Sequence, residues 1–327
     1  MAPNVPPSGP VPLEEFGLID ASHAEPRSDG RLAGYPVIDA HTHLFPEEVV
    51  RDRSRFLVRD PWFGETFGHP KATTALVPEL IASMDTAAIA RSVVCGWPWR
   101  DQGLCRMHND DLARVGKTHP ERISWLGIVN PAHPGAAAEV ARCVELGAVG
   151  IGELNADGQD FAWERPHDLA HFAEACIALD VPVLIHTSEP VGHRYPGKGT
   201  ATVAKLVPFL EAFPALRVVM AHWGGGLPFY ELMPEVAAAA RNVVYDSAAS
   251  TYLYRFDIFP VVERLVGAGR ILFGSDFPVL KQRGFLRRTR ESGLPQPAWA
   301  GVLHDNAVRT FHLPGYERLE TIPGGMS

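Results

Sequence analysis

The feature that most constrains the fold is an alternation of short apolar segments with longer helical ones. The short segments are rich in β-branched residues and do not alternate polar with apolar positions, as is typical of parallel strands buried on both faces. They begin at Val37, Val93, Ile123, Val149, Pro182, Arg217, Val243 and Ile271. Since a helical pattern follows each of these eight segments, the sequence predicts an α/β fold, a single (β/α)8 TIM barrel slightly elaborated by loops.

Segments with a helical pattern fill the intervals between the strands. They are predicted to begin at Pro78, Cys105, Gly135, His167, Ala201, Tyr230, Phe259 and Pro297. The first is expected to run to Ala90. An open doubly wound sheet has the same alternation, but the count of eight favours the barrel. A glycine-rich phosphate-binding fingerprint is also missing after the first strand, where a dinucleotide-binding fold needs it.

Composition divides the chain of 327 residues into three parts: a Pro-rich arm (1–34), a barrel domain (35–313) and a C-terminal tail (314–327). With a formal net charge of -8 and no long basic run, binding to nucleic acid is not expected. No apolar stretch reaches the roughly 18 residues of a membrane helix. The scattered cysteines and the absence of a secretory pattern at the N-terminus favour the cytoplasm.

Polar residues follow the apolar segments at the points where the strands should end. His41 and His43 are separated by one residue and therefore project from the same side of the first strand. The other strand ends carry Glu153, His186, His222, Asp246 and Asp276. Because the carboxyl ends of barrel strands meet at one mouth, these side chains should lie close together.

Imidazoles with a carboxylate suggest a divalent metal site. Zinc is the expected ion, and manganese, iron and cobalt bind similar nitrogen and oxygen donors. A bound dication lowers the pKa of water from about 15.7 toward 7 and so creates hydroxide at neutral pH.

Five motifs in barrel order carry a resemblance to a known family. They are "DAHTHLFP", "LIHTSEP", "MAHWGGG", "LFGSDFP" and "LHDNAVRTFHL". Over residues 35–313 the chain resembles the metal-dependent amidohydrolase superfamily, in the amidohydrolase-2 branch that includes aminocarboxymuconate semialdehyde decarboxylase-like proteins. The resemblance implies a homodimer. It also implies that the metal ligands are His41, His43, His186 and Asp276, and that His222 and Asp276 handle protons.

The fourth strand departs from the pattern of many two-metal amidohydrolases. Those enzymes have a carboxylated lysine there, whereas this chain has Glu153 in "GIGELN". Glutamate bridges metals in some relatives, so Glu153 is a further candidate ligand, although one ion is expected rather than two. Asp246 and Asp39 are interpreted as supporting carboxylates, and His108 is expected to be solvated.

The loops after strands 1, 2, 5 and 7 are expected to line the substrate pocket. They mix aromatic with cationic side chains, a composition that suits a small aromatic or unsaturated carboxylate. The candidate substrate residues are Trp97, Arg100, His193, Arg194 and Tyr252. The first of these loops, residues 44–77, is long enough to be a lid or a subunit contact.

Two reactions fit the predicted site. The favoured one is hydrolysis of a small amide, lactone or ester by metal-activated water. The reason is that a glutamate on the fourth strand, Glu153, is similar to the pattern of the more hydrolytic relatives. The alternative is non-oxidative decarboxylation of an aromatic or muconate-like acid at the same ligands. A catalytically silent barrel would have lost a ligand position, and none is lost here.

Overall fold

The computed structural model describes residues 36–316. The predicted arm 1–34 lies outside the described residues, as does the tail beyond residue 316. Eight parallel strands form one sheet in chain order. They are β1 (Val37–His43), β2 (Ile89–Cys95), β3 (Ile123–Gly127), β4 (Gly150–Leu154), β5 (Val183–Ile185), β6 (Val218–Met220), β7 (Val243–Asp246) and β8 (Ile271–Leu272).

The segment after β8 returns to β1 and nearly closes the barrel. The amide of Ala40 donates to the carbonyl of Phe273 at 2.8 Å, and the amide of Asp276 donates to the carbonyl of His41 at 2.9 Å. Thr42 forms a parallel bridge with Phe277. The predicted TIM barrel is therefore confirmed.

Helices alternate with the strands on the outside of the barrel. The described residues contain α1 (Glu47–Arg51), α2 (Arg53–Arg59), α3 (Pro61–Phe67), α4 (Val77–Ala87), α5 (Gln102–Thr118), α6 (Ala136–Glu145), α7 (Ala156–Gln159), α8 (Ala170–Ala178), α9 (Val203–Ala212), α10 (Leu227–Tyr230), α11 (Pro234–Ala239), α12 (Ser250–Leu253), α13 (Ile258–Val266), α14 (Gln282–Arg290) and α15 (Asn306–Phe311).

Several predicted helices have different limits in the structure, and for two of them the physical reason is clear. The first ends at Ala87 rather than Ala90, because Ala88 turns into the left-handed region (φ 53°) and Ile89 pairs with Val37 in the sheet. Only the second piece of the helix predicted from Tyr230 forms, as α11, because α10 ends at Tyr230 and residues 231–233 form a turn. Pro234 starts the second piece, as expected for a residue that has no backbone donor and a fixed φ suited to a first helical turn.

Apolar side chains from most strands fill the interior of the barrel. Ile38, Val93, Leu126, Leu184, Val219 and Leu272 belong to this cluster. A larger cluster packs the outer faces of the strands against the helices. These two cores hold the strand ends in a fixed arrangement, on which the geometry of the mouth depends.

The long segment after β1 is a folded cover with its own core. Asp60 accepts a hydrogen bond from the amide of Phe63 at 2.8 Å and caps α3, which begins at Pro61. Phe63 and Phe67 then pack on Trp97, with ring centroids 5.6 and 5.0 Å away. Hence α3 is tied to the loop that follows β2.

No helix among residues 36–316 has the length and apolar character needed to cross a membrane.

Candidate metal centre and active site

Six titratable side chains converge at the carboxyl ends of five strands. They form two groups, and within each group the potential ligand atoms lie within 4.8 Å of one another. One group is His41, His43 and Asp276, and the other is Glu153, His186 and His222. The structure thus brings together every predicted ligand residue and the predicted proton carrier, although their roles remain predictions.

The first group combines the pair on β1 with the carboxylate after β8. The Nε2 atoms of His41 and His43 are 3.1 Å apart. Asp276 Oδ1 lies 3.4 Å from His43 Nε2 and 3.9 Å from His41 Nε2. This proximity follows from barrel closure, which makes the first and last strands neighbours.

Glu153 on β4 joins the two groups. Its Oε2 atom lies 3.4 Å from Nε2 of both His41 and His43. Its Oε1 atom lies 2.9 Å from His186 Nδ1 and 3.3 Å from His222 Nε2. A single carboxylate therefore contacts all four imidazoles.

The partners of the outward ring nitrogens orient three of these imidazoles. His41 Nδ1 lies 2.8 Å from Asp246 Oδ2, His43 Nδ1 lies 3.3 Å from the carbonyl of Gly96, and His222 Nδ1 lies 3.1 Å from the carbonyl of Ala248. Since each partner is an acceptor, Nδ1 carries the proton and Nε2 is left to face the centre. His186 is turned the other way, with Nδ1 toward Glu153.

Two buried carboxylates outside the ligand groups hold the histidines and the neighbouring backbone in place by hydrogen bonds. Asp246 Oδ1 accepts hydrogen bonds from the amides of His222 and Ala248 at 3.0 and 2.9 Å. Asp39 accepts from the amide of Ser275 at 2.9 Å and from Gln282 Nε2 at 2.8 Å. Burial raises the pKa of Asp39 to about 6, against the opposing effect of these hydrogen bonds.

The backbone around His222 adopts an uncommon conformation. His222 and Trp223 both have a φ of 58°, and the three glycines that follow are also in the left-handed region. A Cβ atom on Gly225 would lie 2.6 Å from the carbonyl oxygen of Ser188. The glycine run is therefore required for the turn after β6 to pack against the loop after β5, which carries His186.

The charges of the site are strongly coupled. Burial alone would lower the pKa of His41, but the carboxylates of Asp246 and Glu153 outweigh it and raise that pKa well above its ordinary value. Burial also opposes protonation of His222, whose pKa is raised to about 9 by Glu153, Asp276 and Asp246. The carboxylates therefore favour positive charge at the centre, which a dication would supply while releasing protons.

The carboxylates respond in the opposite sense. Burial would raise the pKa of Asp276, but its hydrogen bond to His43 and the charges of the other histidines lower it to about 2. The pKa of Glu153 is held well below its usual value against burial, chiefly by His41 and His186. Both groups remain ionised at neutral pH and supply the anionic oxygens that a divalent metal prefers.

The predicted substrate residues differ in their surroundings. Trp97 is buried, and its indole nitrogen has no hydrogen-bond partner within the described part of the chain. Arg100 is exposed and forms an ion pair with Asp160. His193 and Arg194 are exposed, and Tyr252 is 44% exposed. The role of these five residues in substrate binding remains a prediction.

His108 was expected to be solvated, and this prediction was wrong. Its ring is fully buried, with Nδ1 accepting from Trp99 Nε1 at 3.0 Å and Nε2 donating to the carbonyl of Leu44 at 2.9 Å. Burial lowers its pKa to about 3. The neutral ring joins the loops after β1 and β2. The spacing of Leu104, His108 and Leu112 on one face of α5 is the signal that could have revealed this burial.

Sequence reasoning also missed an acidic group in the loop after β5. Tyr195 Oη donates to Glu189 Oε2 at 3.3 Å. Burial, together with the neighbouring Glu189, raises the pKa of both Tyr195 and Tyr254. These residues come from the loops after β5 and β7, so no local sequence pattern connects them.

A nearly closed parallel barrel with clustered histidines and carboxylates at its strand ends is typical of a metal-dependent barrel enzyme. The amidohydrolase family model matches residues 38–313. The chain therefore belongs to the amidohydrolase family, in the amidohydrolase-2 branch, and the resemblance found in its motifs is confirmed.

Two relatives and one solved structure show which proteins this chain is similar to. A gamma-resorcylate decarboxylase of Polaromonas sp. is 29% identical over 219 residues, covering 55% of this chain and 67% of the relative. A 6-methylsalicylic acid decarboxylase of Penicillium expansum is 25% identical over 299 residues, covering 77% and 88%. A solved 5-carboxyvanillate decarboxylase of Novosphingobium aromaticivorans, complexed with manganese and a nitrobenzoic acid, has a TM-score of 0.72 at 20% identity and covers 86% and 97%.

The preference for hydrolysis was wrong, because these relatives and structural neighbours are decarboxylases. That preference rested on Glu153. In the structure its carboxylate lies among four imidazoles, and this arrangement does not distinguish attack by water from loss of a carboxylate.

A divalent metal fits the donor set, since imidazole nitrogens and carboxylate oxygens lie within ligand reach of one another. Manganese is the ion named for three of the neighbouring structures. Zinc, the homodimer and the cytoplasmic location remain predictions.

Proposed function

We propose that this chain is a metal-dependent, non-oxidative decarboxylase of a hydroxylated aromatic acid. The observation that carries the proposal is the similarity to decarboxylases of aromatic acids in a chain whose barrel mouth holds the predicted ligand set. The curated relatives act on gamma-resorcylate and 6-methylsalicylic acid, both of which are aromatic acids.

The residues that would hold the metal are His41, His43, His186 and Asp276, with Glu153 facing the same space. Nε2 of His41 and His43 is free to coordinate because Nδ1 of each ring is occupied by an acceptor. When bound, the ion supplies positive charge that attracts the substrate carboxylate and stabilises negative charge on oxygen. One ion is proposed, because Glu153 Oε2 and Asp276 Oδ1 face the same two Nε2 atoms of His41 and His43, which lie 3.1 Å apart.

His222 is the proposed proton donor. Decarboxylation requires a proton to be added to the ring carbon that bears the carboxylate, after which the bond to that carboxylate breaks and its electron pair returns to the ring. In the metal-free protein the neighbouring carboxylates raise the pKa of His222 to about 9, which favours the protonated ring that a general acid requires. Its Nδ1 faces the carbonyl of Ala248, so Nε2 is the atom that would deliver the proton.

The cover formed by the segment after β1 would exclude water from the reacting ring. Phe45, Phe63 and Phe67 stack against one another beside Trp97. The unpartnered indole N–H of Trp97 is available to donate to a substrate oxygen.

The test is release of carbon dioxide from a panel of hydroxybenzoates by manganese-loaded protein. The proposal expects release of carbon dioxide in step with formation of the corresponding phenol. Treatment with a chelator should abolish the reaction, and restoring the metal should recover it. Consumption of an ester, lactone or amide with no carbon dioxide from any acid would refute the proposal.

A further inference from the structure

Glu189 has one carboxylate oxygen that the protein leaves without a hydrogen bond. Oε2 accepts from Tyr195 Oη at 3.3 Å. Oε1 is buried and has no partner among residues 36–316. A buried acceptor without a donor is unfavourable, and such atoms in native proteins usually have a ligand or water as their partner.

The position of Glu189 places it beside the candidate metal centre. The preceding residue, Ser188, has its Oγ atom 3.5 Å from His186 Nε2. The backbone of Ser188 also packs under Gly225 in the turn that carries His222. The charge of Asp276 contributes to the raised pKa of Tyr195, the hydrogen-bond partner of Glu189, after burial and Glu189 as the larger causes. The carboxylate of Glu189 and its tyrosines therefore lie around the same mouth.

The charge of Glu189 is not neutralised by an ion pair within the described part of the chain. The ammonium group of Lys198, on the same loop, lies 5.5 Å from the centre of the Tyr195 ring. Its ammonium group donates instead to the carbonyls of Val191 and His193, at 2.6 and 3.0 Å. An unpaired carboxylate attracts hydrogen-bond donors and repels a second anion.

We propose that Glu189 determines substrate specificity: Oε1 accepts a hydrogen bond from a phenolic hydroxyl on the substrate ring, and its charge disfavours acids that carry a second carboxylate there. This inference rests on the proposed function and names its substrate class as monocarboxylic hydroxybenzoates. Specificity of this kind has both an attractive and a repulsive part.

The experiment uses manganese-loaded protein and salicylates substituted at ring position 3, 4 or 5 with hydroxyl, methoxyl or carboxylate. Dissociation constants are measured by calorimetry and kcat/KM by carbon dioxide release. Wild type is compared with Glu189→Gln, which keeps the shape and removes the charge. Glu121→Gln is the matched control, because Glu121 is exposed and precedes β3 at the opposite end of the barrel. Tyr195→Phe is a second variant that leaves the charge of Glu189 in place.

At one ring position, wild type should bind the hydroxyl compound at least tenfold more tightly than the methoxyl and carboxylate compounds. In Glu189→Gln, the ratio of the affinity for the hydroxyl compound to that for the carboxylate compound should fall at least tenfold. Glu121→Gln and Tyr195→Phe should keep the ratio of wild type. An unchanged preference in Glu189→Gln, with normal metal content, would overturn the inference. Binding without carbon dioxide release would refute the proposed reaction while the binding preference still decides the role of Glu189. Failure of every salicylate to bind wild type would overturn both.

Discussion

His41 Nδ1 and Asp246 Oδ2 lie 2.8 Å apart, and neither side chain is exposed to solvent. The carboxylate fixes the proton on Nδ1 and directs Nε2 into the centre. Asp246 also accepts from the amide of His222, so it positions two functional histidines through one buried group.

Replacing Asp246 by asparagine should weaken metal binding. An asparagine presents either its oxygen to His41 and its NH2 to two backbone amides, or the reverse, and each arrangement leaves a buried group unsatisfied. We expect the affinity for manganese to fall roughly 10- to 100-fold. Chelator competition measures it, with Asp168→Asn, an exposed carboxylate, as the matched control. Equal affinity in Asp246→Asn and wild type would remove Asp246 from the metal-supporting role.

Replacing His222 by asparagine should remove the proton donor and leave the metal bound. We expect kcat to fall by roughly 10²- to 10⁴-fold, the usual contribution of a general acid, at unchanged metal content. Steady-state kinetics and elemental analysis on the same preparation check this, with His312→Asn, an exposed histidine, as control. Loss of metal in parallel with activity would instead make His222 a ligand.

Glu153 should raise the pKa of His222 in the metal-free protein. Its Oε1 lies 3.3 Å from His222 Nε2, and the pKa of His222 is raised to about 9. In Glu153→Gln that pKa should fall toward the ordinary value of about 6.5, because the negative charge is gone. Titration by histidine NMR measures the change. An unaltered pKa would mean that Asp246 and Asp276 alone determine the charge of His222.

His108 should make the fold sensitive to mild acid. Its pKa is lowered to about 3, so the folded protein keeps the ring neutral, whereas the unfolded chain protonates it below about 6.5. The stability that depends on the neutral ring is therefore present above pH 6.5 and is lost as the pH falls toward 3. Between pH 7 and pH 5 the loss should be about 2 kcal/mol.

Chemical denaturation of wild type and His108→Gln at both pH values isolates this effect. The variant is less stable at pH 7 because it loses hydrogen bonds to the loops after β1 and β2. The difference in free energy of unfolding between wild type and the variant should be about 2 kcal/mol smaller at pH 5 than at pH 7, since glutamine does not titrate. His119→Gln, at the end of the same helix, should show no such change. A deficit that is constant with pH would contradict the account of His108.

The barrel and the meeting of the six site residues were predictable because both follow from chain order. Once eight strands alternate with helices, closure places Asp276 beside His41 and His43, and the strand ends share one mouth. The boundary between α4 and β2 was harder, since the apolar Ile89 and Ala90 fit either element and pairing with β1 decides between them.

The reaction and the residues of the pocket were harder to predict from the sequence. Hydrolysis and decarboxylation use the same imidazoles and carboxylates, so the donor set at Glu153 could not separate them. Glu189 and its two tyrosines come from different loops, and only the folded chain brings them together. The burial of His108 required knowing which face of α5 packs under the loops.

The most direct test of the central claim, cleavage of a carbon–carbon bond at this centre, is an isotope experiment with the manganese-loaded protein and the hydroxybenzoate that it converts fastest. The reaction is run once in D2O and once in H2¹⁸O, and the aromatic product is examined by mass spectrometry and NMR. We predict one deuterium on the carbon that lost its carboxylate, one carbon dioxide per product, and no ¹⁸O in the aromatic product. An aromatic product that contains ¹⁸O and forms without carbon dioxide would contradict the account and restore hydrolysis.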